Sequence, residues 1–165
     1  MNFQFTDIQE RKETSQAINF LHKQNLNYPN YDKWVQKTEA ELIGGYKNAV
    51  LAFSRGKIVG DLVYQRHKEN PRFLELKNMR IIPELKNRYF AKFMLRQVEA
   101  ENQKYDAIVC DAPSEFPEII CFMQSCGYTP ILSKPLYDDG EPEIIMIKPI
   151  RKSKKIIIPR ALDLF

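Results

Sequence analysis

Between Phe73 and Leu95 the sequence changes period at a proline. An apolar-polar strand pattern (FLELKNMRII) meets Pro83, a basic turn (Lys86, Asn87, Arg88) follows, and an amphipathic helix begins at Tyr89. A helix entered through so short a turn leaves its first backbone N–H groups without intrahelical partners, and two cations stand beside them here. The segment therefore reads as a strand-turn-helix unit with a ready site for a phosphate-bearing ligand at the helix start. Alternation within the strand puts Leu74, Leu76 and Asn78 on one face and Phe73, Glu75, Lys77, Met79 and Ile81 on the other, a mixed face suited to lining a cleft.

The rest of the chain arranges itself around this unit. NFQF is a short strand; Thr14 or Ser15 caps a helix through Ala17, Ile18, Phe20 and Leu21. Trp34, Val35, Thr38 and Leu42 share a face of a second helix that Gly44-Gly45 ends. NAVLAFSRGKIVGDLVYQ is a hairpin about Ser54-Arg55-Gly56. The helix Tyr89–Gln103 packs Phe90, Met94 and Val98 and exposes Lys92, Arg96, Glu99 and Glu101. Beyond it come a buried strand (AIVC), a helix opened by Pro117 and stopped by Gly127, and strands near Tyr128–Leu132 and Glu143–Lys148 about the turn Asp138-Asp139-Gly140.

The order β-α-α-β-β-β-α-β-α-β-β predicts an α/β (α+β) fold, a mixed central sheet of about six to seven strands flanked by helices on both faces. With 165 residues and 44% hydrophobic side chains, one core is expected, over residues 1–150, followed by a basic and apolar tail at 151–165. An excess of four positive charges, 25 Lys and Arg against 21 Asp and Glu, decides nothing about nucleic acid. Cys110, Cys121 and Cys126 lack a C-x-x-C pair and His22 and His67 lie far apart, which argues against a disulfide framework and a metal site. Cys121 and Cys126 read as packed small hydrophobes. No apolar run reaches membrane-spanning length, so a cytoplasmic protein is expected.

The order of elements, with GDLVYQRHKENPRFLELKNMRIIPELKNRYFAKFML and DAPSEFPEIICFMQSCGY, resembles the GNAT superfamily of N-acetyltransferases over Asn48–Pro149. The resemblance implies an acyl-CoA-dependent N-acyltransferase that moves acetyl from acetyl-CoA to a primary amine by direct attack. The family's turn motif, R/Q-x-x-G-x-G/A, falls on Lys86-Asn87-Arg88-Tyr89-Phe90-Ala91, implying that this backbone holds the pyrophosphate of coenzyme A. Lys86 is a cationic stand-in for the first position, Ala91 satisfies the last, and Tyr89 stands at a glycine position.

The resemblance further implies that main-chain groups of Met79, Arg80 and Ile81 pair with pantetheine. It also implies that Glu75 is the general base, a role that requires burial to raise its pKa toward neutrality. Met123 occupies the place of the family's proton-donating tyrosine and Phe116 that of its asparagine; Ser125, Cys126, Tyr128 or water are the candidates left for the acid. The implied acceptor is a small-molecule or protein amine, the implied assembly a monomer or homodimer, and no membrane partner is expected.

Other readings stand beside this one. Lys86 and Arg88 are also what a solvated turn carries, and Glu75 could pair with Arg72 or Lys77. A non-catalytic GNAT-like module binding coenzyme A or a protein is the alternative. The tail cations Arg151, Lys152, Lys154, Lys155 and Arg160 are the basis for an RNA-directed acyltransferase, a nucleic-acid partner that rests on charge alone.

Overall fold

The computed structural model describes residues 3–8, 11–24, 30–136 and 141–151. In chain order its elements are β1 Phe3–Asp7, α1 Arg11–Lys23, α2 Tyr31–Ile43, β2 Lys47–Ser54, β3 Lys57–Arg66, β4 Phe73–Ile81, a short 3-10 helix Pro83–Leu85, α3 Phe90–Glu101, β5 Ala107–Pro113, α4 Pro117–Ser125, β6 Thr129–Pro135 and β7 Pro142–Pro149. The strands form a seven-stranded sheet in the order β1-β2-β3-β4-β5-β7-β6. It is mixed: β4 runs parallel to β5, whereas β1–β2, β2–β3, β5–β7 and β6–β7 are antiparallel. Both the α/β class and the strand number agree with the sequence expectation. The chain divides into two compact units, Met1–Gln65 with Lys77–Val98, and Arg66–Leu76 with Glu99–Phe165.

In the first unit β2 and β3 meet at Arg55 (φ 51°) and Gly56 (φ 74°). Two successive left-handed residues suit the tight primed turn that matches the twist of a hairpin. The register pairs Lys47 with Gln65, Ala49 with Val63 and Leu51 with Asp61. On Ala49 and Val63 sit Ile18 and Leu21 of α1 and Val35 and Leu42 of α2, with Tyr31 and Trp34 packed at the side. Each fully buried aliphatic side chain there contributes about 1.5–3 kcal/mol. The helix α2 stops as expected: Gly45 takes φ 72° and its N–H reaches the Leu42 carbonyl at 3.1 Å. By contrast α1 starts at Arg11, so Thr14 lies inside the helix and is buried rather than acting as its cap.

In the second unit Phe73, Ala107, Val109 and Ile147 form a core with Ile131 against it. The register of β4 on β5 covers Phe73–Glu75 against Ala107–Val109, a short stretch of a nine-residue strand. Pro117 occupies the first turn of α4, and Gly127, at φ 92°, follows its end. Two expectations fail here. Cys121 is exposed, because α4 turns that side chain away from the core. Glu99 is not a free surface acid, since Lys148 Nζ holds both its oxygens at 2.7 Å. Of the tail only Arg151 is described, 3.8 Å from the Asp106 carboxylate; the remaining tail cations and the turn Asp138-Asp139-Gly140 lie outside the described residues.

Candidate active site

After Pro83–Leu85 the chain passes through Lys86, Asn87 and Arg88, all exposed, with Asn87 at φ 61° and Tyr89 at φ 65°. Left-handed backbone costs an L-residue about 1–2 kcal/mol relative to the right-handed region, so two such residues in one turn mark a constrained path. Tyr89 thus adopts the conformation usually left to glycine, while its side chain is 69% exposed. Its carbonyl accepts from the Phe93 N–H at 2.9 Å, closing the first turn of α3. Phe90 then buries itself at the start of the helix beside Phe5, whose ring centroid is 5.9 Å away. The N–H groups of Phe90, Ala91 and Lys92 have no carbonyl a turn behind them within the helix.

Of the strand residues named from the sequence, Met79, Arg80 and Ile81 are partly buried in the first unit, next in the chain to this turn. Glu75 belongs to the second unit, where it is buried on β4 and registers with Val109 of β5.

A cluster that the sequence reading did not single out lies in the first unit. Gly60 of β3 is so close to β4 that an added Cβ would fall 2.8 Å from the Arg80 carbonyl oxygen and onto Ile81 Cδ1, so only glycine fits. The next residue, Asp61, points to the opposite face, the one that Val63 presents to α1 and α2. It is wholly buried. Asn78 Nδ2 donates to its Oδ2 at 2.5 Å, while its Oδ1 has no hydrogen-bond partner among the described residues. Burial pushes the Asp61 carboxyl up to about 7, against the weaker opposing effects of the Asn78 hydrogen bond and the Arg80 charge. Arg80 Nε is likewise buried and unpartnered. Tyr31, at the start of α2, donates to the Leu21 carbonyl at 3.0 Å; burial, then the Asp61 charge, push its phenol to about 12. Asp61 is thus a carboxyl that burial brings near neutrality, the property a general base for an amine requires.

No family model matches the chain, and no curated protein matches it. Solved structures do. A protein of the GNAT acetyltransferase family from Desulfovibrio desulfuricans superposes with a TM-score of 0.78 at 12% identity, over 90% of this chain and 99% of that one. The fold is that of the GNAT acetyltransferases. The ribosomal-protein-S18-alanine N-acetyltransferase of Escherichia coli follows at TM-score 0.74 and 17% identity, over 94% and 99% of the two chains. The dodecameric spermidine N-acetyltransferase of Vibrio cholerae aligns at 0.68 and 12%, over 90% and 94%.

On this GNAT frame Met123 is buried in the core rather than available as an acid. Ser125 Oγ donates to the Phe122 carbonyl at 2.6 Å, and Cys126 Sγ lies 4.0 Å from that hydroxyl. Tyr128 is buried, its hydroxyl has no hydrogen-bond partner among the described residues, and desolvation pushes its phenol well up, so it keeps its proton at neutral pH. Among the described residues no group of three or more His, Cys, Asp or Glu is placed to hold a metal ion, and no helix is long and apolar enough to cross a membrane.

Proposed function

We propose that this chain is an acyl-CoA-dependent N-acyltransferase that moves an acetyl group to a primary amine by direct attack. The observation that carries the reading is the turn at the start of α3, with Asn87 and Tyr89 left-handed on either side of Arg88, on a GNAT fold. Its exposed Lys86 and Arg88 and the positive end of the α3 dipole suit a pyrophosphate. The Tyr89 side chain, directed to solvent, leaves the backbone path open. Main-chain groups of Met79, Arg80 and Ile81 hold the pantetheine amides, beyond the last residue at which β4 registers with β5. Coenzyme A supplies the acyl thioester. Glu75 is the base carried over from the family pattern, and it removes a proton from the attacking ammonium.

Calorimetry with acetyl-CoA tests the cofactor half: binding that weakens severalfold in a Lys86→Ala, Arg88→Ala variant supports the reading, and no binding at millimolar concentration contradicts it. Release of free thiol with a panel of amines tests the chemical half. If Glu75→Gln leaves turnover intact while Asp61→Asn abolishes it, the role of base passes to Asp61. A coenzyme-binding module without turnover is the second reading, favoured by the buried Met123; acetyl-CoA binding without turnover of any amine would establish it.

A further inference from the structure

The hairpin β2–β3 and its neighbour β4 hold two buried polar atoms of opposite kind that have no hydrogen-bond partner among the described residues. Asp61 Oδ1 is an acceptor and Arg80 Nε a donor. Both belong to the first unit, and the Arg80 charge acts on Asp61 and on Tyr31 alike. Asp61 has no exposure, whereas Tyr31, Asn78 and Arg80 are each partly exposed. Asp61 is therefore the innermost member of the cluster, and the other three lie between it and solvent exposure. Buried polar atoms in native proteins are nearly always matched, so an unmatched acceptor and an unmatched donor together ask for a ligand that brings one of each.

We propose that Asp61, Asn78, Arg80 and Tyr31 form the acceptor subsite, and that it receives an α-aminoacyl end: the ammonium donates to Asp61 Oδ1, and the adjacent carbonyl or carboxylate accepts from Arg80 Nε. The proposal rests on the acyltransferase reading and supplies its acceptor class. A plain alkylamine satisfies Asp61 and leaves Arg80 unmatched; a polyamine adds a second cation beside an arginine. An amino group on the carbon next to a carboxyl carries one cation and one acceptor, the two kinds of partner that the cluster lacks. A free amino acid and a peptide N-terminus share this chemistry, and the probes separate them.

The experiment is calorimetry on the full chain, alone and with coenzyme A, using L-alanine, a hexapeptide beginning with alanine, the same peptide N-acetylated, n-propylamine and spermidine. The expected result is binding of alanine or the free peptide, with propylamine and spermidine weaker by roughly 30-fold or more, and no binding of the blocked peptide. Binding of alanine as tight as the peptide identifies a small-molecule acceptor; binding of the peptide alone identifies a protein N-terminus. Asp61→Asn should weaken the preferred probe by about 100-fold, and Arg80→Gln should bring it down to the level of propylamine.

Equal or tighter binding of spermidine or propylamine, wild-type affinity in Asp61→Asn, or no binding of either α-amino probe in both conditions would overturn the proposal. Acetyl-CoA binding is measured separately. Loss of the cofactor with retained peptide binding refutes the acyltransferase reading alone, and the reverse refutes this subsite alone.

Discussion

Two ionisable groups are buried on the same face of the β2–β3 hairpin, and the chain treats them differently. Lys47 pairs with Gln65 and Asp61 with Leu51, so both side chains point toward α1 and α2, about 13 Å apart along the strands. Lys47 Nζ lies 2.8 Å from Glu41 Oε2, donates to Thr38 Oγ1 at 3.0 Å, and sits 5.3 Å from the centre of the Trp34 ring. Burial lowers its pKa, and Glu41 opposes that fall. Asp61 has the one hydrogen bond from Asn78 and a second oxygen with no hydrogen-bond partner among the described residues. Desolvation opposes both charges; α2 compensates one, and no group in the described structure fully compensates the other. A buried charge with its partners supplied is a structural device, whereas one left open is a place for something from outside the chain.

That contrast can be broken by mutation, starting where the effect is largest. Removing the partner of the satisfied charge, Glu41→Ala, should cost about 3 kcal/mol in urea unfolding, because it leaves Lys47 buried and unpaired. A loss under about 1 kcal/mol would mean that Lys47 escapes to solvent and that the two sites are alike. On the open side, Arg80→Met removes an unmatched buried donor and should raise stability by about 1 kcal/mol at pH 5, where Asp61 is protonated and gains nothing from the Arg80 charge. A decrease would show that Nε has a partner after all. The smallest effect belongs to Thr38→Val, which deletes one of the hydrogen bonds to Lys47 and should lower stability by about 0.5–1 kcal/mol.

Much of this was legible in the sequence because its signals are local. Pro83, Pro117, Gly45, Gly56 and Gly127 act on their own backbone, and each marks a boundary that the structure keeps. What escaped depends on partners distant along the chain. Glu99 looked solvated because Lys148, which neutralises it, is 49 residues away. The left-handed conformation of Tyr89 contradicts the residue's own preference, so no local rule would place it there. Asp61 did leave a trace: a carboxylate between Gly60 and Leu62 in an otherwise apolar strand. An acid in such a run is seldom buried without a partner, a signal from which the site could have been found.

The most direct test of the account is the pH dependence of unfolding in wild type and Asp61→Asn. Because the folded-state pKa is raised to about 7, the folded protein holds a proton that the unfolded chain has released above about pH 4. Wild-type stability should therefore match the variant near pH 4 and fall behind it as pH rises toward 7. By pH 8 the deficit should be on the order of 4 kcal/mol, about three pKa units at about 1.4 kcal/mol each, the amount by which this carboxylate destabilises the empty site. Parallel curves from pH 4 to 8, or a wild type that gains on the variant as pH rises, would contradict it and return Asp61 to the class of satisfied core residues.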